Sequence, residues 1–390
     1  MMRRILIILV VAAGFSCAGQ NGDIDTIQQL PPIGRLTPNL TNPGNYANQT
    51  VPAYITKVDN SNPVTDAGAF LGRILFYDRL LSANNSTSCS SCHHQNLAFS
   101  DAPRASRGAN GPTSRHSMRL VNVRFANDTR FFWDKRAASL EEQTTMPIRD
   151  HAEMGFSGAN GDPDISVLLD RMRATPYYAN LFRDAFGTSE ITEQRLQLAL
   201  GQFIRSIQSF DSRFDQGRAQ VTDDFSDFPN FSTQENLGKS LFMQQPFGLG
   251  PSGRTGGGLG CNQCHVAPEF DISSVGNNGA IGAIGGGNDF NATRSPTLRD
   301  LVNANGNANG PMMHDGSHAT LDAMVDHYNA IPAAFNPQLD FRLQLSGFPQ
   351  RLNMTADEKA ALIAFLKTLT GNAIYTDTRW SNPFGPPPGR

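Results

Sequence analysis

Nowhere in this 390-residue chain does an apolar run reach the length of a membrane-spanning helix, and nowhere does charge of one sign accumulate. The formal charge is −3 with both signs interspersed, so no basic stripe marks a nucleic-acid-binding face. Apolar residues are scarce at 39%, whereas 36 glycines and 24 prolines point to long stretches of turn and loop. The length suffices for two domains of ordinary size, provided that a bound cofactor fills part of each core. Cysteine is rare as well, five in all, and four of the five fall in two short motifs.

The first residues, Met1-Met2-Arg3-Arg4 followed by the apolar run Ile5 to Ala13, have the charged and apolar regions of an export signal, so residues 1–17 are set apart from the fold. Cys17 follows Gly14-Phe15-Ser16, where a lipoprotein signal places its acylated cysteine. A conventional cleaved signal would instead remove Cys17. The expected location is periplasmic or otherwise exported, and acylation would make it a lipid-anchored protein that does not span the membrane.

The other cysteines form Cys89-Ser90-Ser91-Cys92-His93 and Cys261-Asn262-Gln263-Cys264-His265. In C-x-x-C-H the two thiols add across the vinyl groups of a haem and the adjacent imidazole ligates its iron. With 5 cysteines and 8 histidines, random order gives roughly 0.001 such motifs, against two present. Vicinal cysteines at this spacing are usually redox-active rather than structural, and a zinc site does not need the fixed terminal histidine. Two covalent c-type haems are therefore expected, attached at Cys89, Cys92, Cys261 and Cys264. His93 and His265 are then the proximal ligands.

The surroundings of the motifs repeat. Leu71-Gly72-Arg73-Ile74-Leu75-Phe76 precedes the first and Leu237-Gly238-Lys239-Ser240-Leu241-Phe242 the second, each reading as a short amphipathic helix. Asp134 to Glu141 corresponds in register to Asp315 to Asp322, and each half closes on a helix, Thr192 to Ile207 and Thr355 to Leu369. The latter opens with the capping box Thr355-x-x-Glu358. The expected fold is mainly α and loop-rich: two cytochrome c-like haem domains related by internal duplication. They occupy 61–225 and 226–376, after a linker at 18–60 and before a Pro/Gly-rich tail at 377–390.

The repeat also compares the two irons. Tyr328 stands seven residues after Leu321, and Pro147 seven after Leu140. If this position faces iron in both halves, Tyr328 ligates the second haem, while Pro147 leaves the first open to a small oxidant. Met324 and His327 compete with Tyr328, although on a helix His327 points about 100° away from it. His116 and His151 are rival ligands for the first iron. Gln143 and Glu153 stand near Pro147, and a carboxylate there could take a proton from the inner oxygen of bound peroxide and deliver it to the outer one. Most glutamates are solvated charges, which is the plain alternative for Glu141, Glu142 and Glu153. For Trp133 the plain alternative is a core residue.

These residues resemble the bacterial diheme cytochrome c peroxidase and MauG family from about Thr65 to Leu369. Phe132-Trp133-Asp134-x-Arg136-x-x-Ser139-Leu140-Glu141-x-Gln143-x-x-x-Pro147, with Glu153 six residues on, looks like the family's inter-haem Trp and peroxide pocket. Arg294-Ser295-Pro296-Thr297-Leu298-Arg299 and His314-Asp315-Gly316-Ser317 match the segment before its second distal ligand. Ordinary peroxidases of the family place Met where Tyr328 stands and often carry a blocking loop His, which residues 100–115 lack. His116 stands where the family commonly has Asn. The resemblance leans to the MauG side and its relative from methanobactin operons, MbnH, which oxidises a Trp of a partner protein. Asp134-Lys135-Arg136 departs from a frequent Asp-Gly-Arg, and Met118 from a frequent Pro.

The resemblance implies Trp133 as a relay between the haems and a high-valent diheme state formed with hydrogen peroxide. It also implies a calcium ion held by the Asn122 side chain and the backbone carbonyls of Arg294 and Pro296. Three functions compete: a MauG-like oxidase acting on a residue of an exported protein, a peroxidase drawing electrons from a small redox protein, and a non-catalytic electron-transfer cytochrome.

Overall fold

Helices begin where a short polar side chain precedes an apolar run, because that side chain accepts a hydrogen bond from an otherwise orphaned amide. Thr65 accepts from the Gly68 amide and opens α1 (Asp66–Tyr77), and Ser139 accepts from Glu142 and opens α2 (Leu140–Arg149). α3 (Ile165–Arg173) starts on Asp164, and α4 (Pro176–Phe186) carries proline in its first turn. Thr192 caps α5 (Glu193–Ser206). Reciprocal capping boxes open α6 (Arg213–Arg218), α7 (Thr233–Met243) and α9 (Ala356–Lys367), while Thr320 caps α8 (Leu321–Asn329). The expected box is present: Glu358 N–H donates to Thr355 Oγ1 at 3.2 Å, and Thr355 N–H to Glu358 Oε2 at 2.9 Å. Extended structure among the described residues amounts to three two-residue antiparallel pairs and isolated bridges. The chain is thus helical and loop-rich, as expected.

This computed structural model describes residues 38–41, 44–248, 250–332, 335–345 and 347–385. The export signal and Cys17 lie outside them. From Pro38 on, the chain forms one compact unit, with two clusters of buried apolar side chains. One runs from Tyr46 to Ile207 and the other from Phe214 to Leu369.

In each cluster two helices meet at a glycine. A Cβ added to Gly72 on α1 would stand 2.0 Å from the Ala199 carbonyl oxygen of α5, and one on Gly238 of α7 would stand 1.9 Å from that of Ala361 on α9. Neither helix of either pair can approach so closely with a side chain in between. The contact matters because α1 and α7 lead directly into the two cysteine motifs.

The segments read as linker and tail are packed in their described parts. Tyr46 is fully buried, and Trp380 and Ile374 insert into the first cluster, not the second. Arg73 Nε donates to the Ser381 carbonyl at 2.6 Å, and the Tyr77 and Tyr46 hydroxyls donate to the carbonyls of Trp380 and Arg379, each at 2.6 Å. The chain end thereby ties back onto α1.

Gly238→Ala is expected to lower stability by about 1–3 kcal/mol, the usual cost of overpacking. Gly111→Ala, whose Cβ would meet only the Ala152 methyl at 3.6 Å, should change it little. Equal midpoints of the two variants in chemical denaturation would refute the close-crossing account.

Candidate active site

Both C-x-x-C-H motifs fold as a single tight 3-10 turn. Cys92 and His93 donate their amides to the Cys89 carbonyl at 3.2 and 3.0 Å, and Cys264 and His265 to that of Cys261 at 3.1 and 3.0 Å. The turn directs both sulfurs and the imidazole to one side. Each imidazole is then fixed by a carbonyl: His93 Nδ1 lies 2.9 Å from the Phe99 oxygen and His265 Nδ1 3.0 Å from that of Phe270. A carbonyl only accepts, so Nδ1 carries the proton and Nε2 keeps its lone pair. Phe99 (φ +59°) and Phe270 (φ +57°) adopt the left-handed conformation to present these oxygens, a strain of the kind that gathers at functional sites. Burial lowers the pKa of both histidines, that of His265 to about 4, which keeps them neutral as ligands must be.

Among the described residues no disulfide joins the cysteines of either motif, and burial pushes the thiols of Cys89, Cys92 and Cys261 up to about 12. A redox dithiol needs the opposite, a stabilised thiolate. Among the described residues no group of three or more His, Cys, Asp or Glu side chains could hold a metal ion, so a Cys/His zinc site has no further donors.

Each motif instead borders a cavity. The first, about 1540 Å³ including its mouth, is bordered by Cys89, Cys92 and His93; the second, about 1390 Å³, by Cys261, Cys264 and His265. Both are mainly apolar, and cysteine sulfur, imidazole Nε2 and an apolar cradle suit a covalent haem in each. His116, Ser117, Met118, Arg119, Trp133, Arg294 and Pro296 border both cavities and form the wall between them. Trp133 Nε1 donates to the His116 carbonyl at 2.8 Å, and its ring packs edge-on against His314 at 6.3 Å.

Gln143, Pro147 and Glu153 all border the first cavity. Pro147 lies inside α2 and offers no ligand atom. Burial, aided by the charge of Asp150 and opposed by Arg136, raises the Glu153 carboxyl to about 7. The other two glutamates have structural work: Glu141 binds the buried Arg205 and Asn62, and Glu142 accepts the Ala138 amide. His151 is removed as a ligand candidate, since it turns outward to Asp162 at 2.7 Å. His116 reaches the wall, but its ring nitrogens face the Pro103 carbonyl at 3.1 Å and Ser100 Oγ at 3.3 Å.

Sequence reasoning missed what holds Glu153. Ala109 N–H donates to the Glu153 carbonyl at 2.8 Å, and Asn110 donates its amide to Ala152 and its side chain to His151. A Cβ on Gly108 would fall 2.1 Å from the Ala152 oxygen. The only local hint was the Gly108-Ala109-Asn110-Gly111 turn composition.

In the second cavity Tyr328 and Met324, one helical turn apart on α8, share the lining. His327 faces away, with Nε2 2.8 Å from the Asn278 carbonyl. Asn278 Nδ2 lies 3.1 Å from both Tyr328 Oη and Met313 Sδ. Burial pushes the Tyr328 phenol up to about 12, and the Asn278 hydrogen bond acts against it.

Asn122 borders the first cavity together with the wall residues Arg294 and Pro296. Its Oδ1 accepts the Ser209 amide at 2.8 Å and its Nδ2 donates to Glu269 Oε2 at 3.1 Å. Glu269, unnoticed in the sequence, is buried, with Oε1 making no hydrogen bond but standing 3.6 Å from Nε of the buried Arg299, and burial raises its carboxyl to about 8.

A sequence profile described as di-haem cytochrome c peroxidase matches residues 66–222. The chain is 31% identical to the methylamine utilization protein MauG of Methylorubrum extorquens over 325 residues, 79% of this chain and 80% of that one. It is 28% identical to the cytochrome c551 peroxidase of Nitrosomonas europaea, over 78% of this chain and 80% of the relative. The crystal structure of a MauG-like protein associated with microbial copper homeostasis superposes with a TM-score of 0.68 at 27% identity, covering 87% of this chain and 99% of that one.

Glu153→Gln is expected to slow the reaction with hydrogen peroxide by roughly 10²–10⁴-fold. Because burial raises this carboxyl, its basic form appears only as pH passes about 7, so the wild-type rate should climb there and the variant's should not. Identical pH profiles in stopped-flow measurements would remove Glu153 from the role.

Proposed function

Because the chain belongs to the di-haem cytochrome c peroxidase family that includes MauG, we propose that it acts on the MauG side, using hydrogen peroxide to oxidise a residue of an exported partner protein. Membership makes it a peroxidase-type diheme oxidoreductase with two c-type haems. The finer reading rests on one observation, the inequality of the two cavities: Tyr328 offers a phenol oxygen in the second, while Pro147 offers nothing in the first.

The haems supply the redox chemistry, in which peroxide is reduced to water and two oxidising equivalents are passed on. The chain supplies the rest. Glu153 takes the proton from the inner peroxide oxygen and gives it to the outer one, and Gln143 orients the oxidant by hydrogen bonding. The apolar lining limits competing water. Tyr328 would hold the iron of the second haem, and an oxygen ligand of this kind would lower the potential at which that site is oxidised. Trp133, in the shared wall, is the aromatic path between them.

A calcium ion would be held by Asn122 and the carbonyls of Arg294 and Pro296, where it would fix the wall. The two halves read best as duplicated haem domains meeting near residue 225. The N-terminal signal places the protein in the periplasm or at its membrane, with Cys17 as the lipid attachment point if retained. No helix among the described residues is long and apolar enough to cross a membrane.

A second reading, peroxide reduction with electrons from a small redox protein, is favoured by Met324, which shares the Tyr328 face of α8. Steady peroxide turnover with reduced cytochrome c would select it. The MauG-like reading expects little such turnover, and an optical change on adding peroxide to the diferric protein. A low-spin six-coordinate pair that peroxide leaves unchanged would defeat both. Tyr328→Met should raise the potential of the second haem and abolish its phenolate charge-transfer absorption. Unaltered spectra would remove Tyr328 as ligand.

A further inference from the structure

Two cavities that each take a haem also receive carboxylates, because the macrocycle carries two propionate groups, and buried carboxylates need cationic donors. The arginines bordering the cavities differ in what they already bind. Arg115 pairs with Asp134 at 3.0 Å and Asp289 at 2.7 Å, Arg136 with Asp134 at 3.0 Å, and Arg342 with Asp340 at 2.6 Å. Among the described residues Arg294 has no carboxylate within 4 Å and its Nε, too, is buried without a partner, but the buried Asp128 and Asp271 both act on its charge, and its Nη1 donates to the Arg130 carbonyl at 3.2 Å.

Arg119 differs from Arg294 in that one acid, not two, acts on its charge. Its one hydrogen bond runs from Nη2 to the Thr297 carbonyl at 3.1 Å, and its Nε is buried without a partner. Among the described residues no carboxylate lies within ion-pair distance of it. Asp300, the acid that acts on it through space, is itself engaged by the Gly371 amide and the Tyr375 hydroxyl. Arg119 lies deep in the chain yet keeps partial accessibility, and it borders both cavities. A guanidinium does not shed its charge in a protein, and an uncompensated buried cation is costly. An anion that balances it at contact can come from what the cavities hold: Nη1 makes no hydrogen bond among the described residues, so the Nη1–Nη2 end of the guanidinium keeps protons for the two-pronged geometry that a carboxylate takes.

We propose that Arg119 is a carboxylate clamp shared by the two haems, binding a propionate from each and coupling their reduction potentials through one charge. The proposal depends on the presence of two c-type haems. It does not depend on whether peroxide serves to oxidise a partner or is reduced by a small donor, so it is tested without peroxide.

Arg119→Gln and Arg119→Lys are purified as holoproteins, with Arg73→Gln as a control, since Arg73 is buried without a carboxylate partner but borders neither cavity. Haem content, both midpoint potentials and the propionate bending bands in resonance Raman spectra are read. In Arg119→Gln, loss of a positive charge should lower both potentials and shift the propionate bands of both haems. Arg119→Lys should restore the potentials but not the bands, because an ammonium cannot reproduce the fork. Arg73→Gln should move neither. A shift confined to one haem, or wild-type potentials and bands in a fully loaded Arg119→Gln protein, would overturn the assignment. If Arg119→Gln does not load both haems, Arg119→Lys decides: shifted bands support the clamp and unshifted bands overturn it.

Discussion

The segment from His116 to Arg119, closed by Trp133 and by Arg294 to Pro296, belongs to both cavities, and this sharing constrains the rest of the molecule. Apart from the strand pairing of Arg294 with Val275, no sheet or helix among the described residues holds it. Single hydrogen bonds do so: Trp133 Nε1 donates to the His116 carbonyl, the His116 amide to the His314 carbonyl at 2.8 Å, and the Arg294 amide to the Trp133 carbonyl at 2.8 Å. Three stretches far apart in the chain are laced together here, so neither cavity can shift alone. A charge or an aromatic ring placed in this wall acts on two sites at once.

On either side of that wall the cavities are built alike and finished differently. The two proximal histidines are oriented by the same device, an imidazole proton given to a carbonyl of a left-handed phenylalanine. The opposite faces diverge. In the first cavity Pro147 offers no ligand atom, and burial raises the Glu153 carboxyl to about 7. In the second a phenol is held by an asparagine amide. Burial is the common cause, but it acts on groups of different charge: it keeps the imidazoles neutral, raises the phenol so that only a cation beside it would take its proton, and brings the carboxyl near neutrality.

What could be read from the sequence was local. The C-x-x-C-H spacing is dictated by covalent chemistry, and Thr192, Thr355 and Glu358 announce their helices through caps that reach only three residues. The angular separation of neighbours on a helix sufficed to turn His327 away from the side that Tyr328 takes. It could not separate Tyr328 from Met324, which lie one turn apart. What escaped was non-local. Asn278 meets Tyr328 across 50 residues, Asn122 meets Glu269 across 147, and Arg119 reaches Thr297 across 178. None of these pairs leaves a periodic trace, and a buried arginine looks in sequence like any solvated one. Gly72 and Gly238 were noticed as matching letters, but their reason is the 2.0 and 1.9 Å clearance that only a folded helix pair imposes.

The anchoring of Trp380 and Ser381 on α1 bears on the order in which the molecule can be assembled. A chain made from its N-terminus onward has both cysteine motifs available before its last residues emerge. The first cluster therefore gains Ile374 and Trp380 only after the second motif has been made. The C-terminal segment acts as the final bolt on the half that was synthesised first.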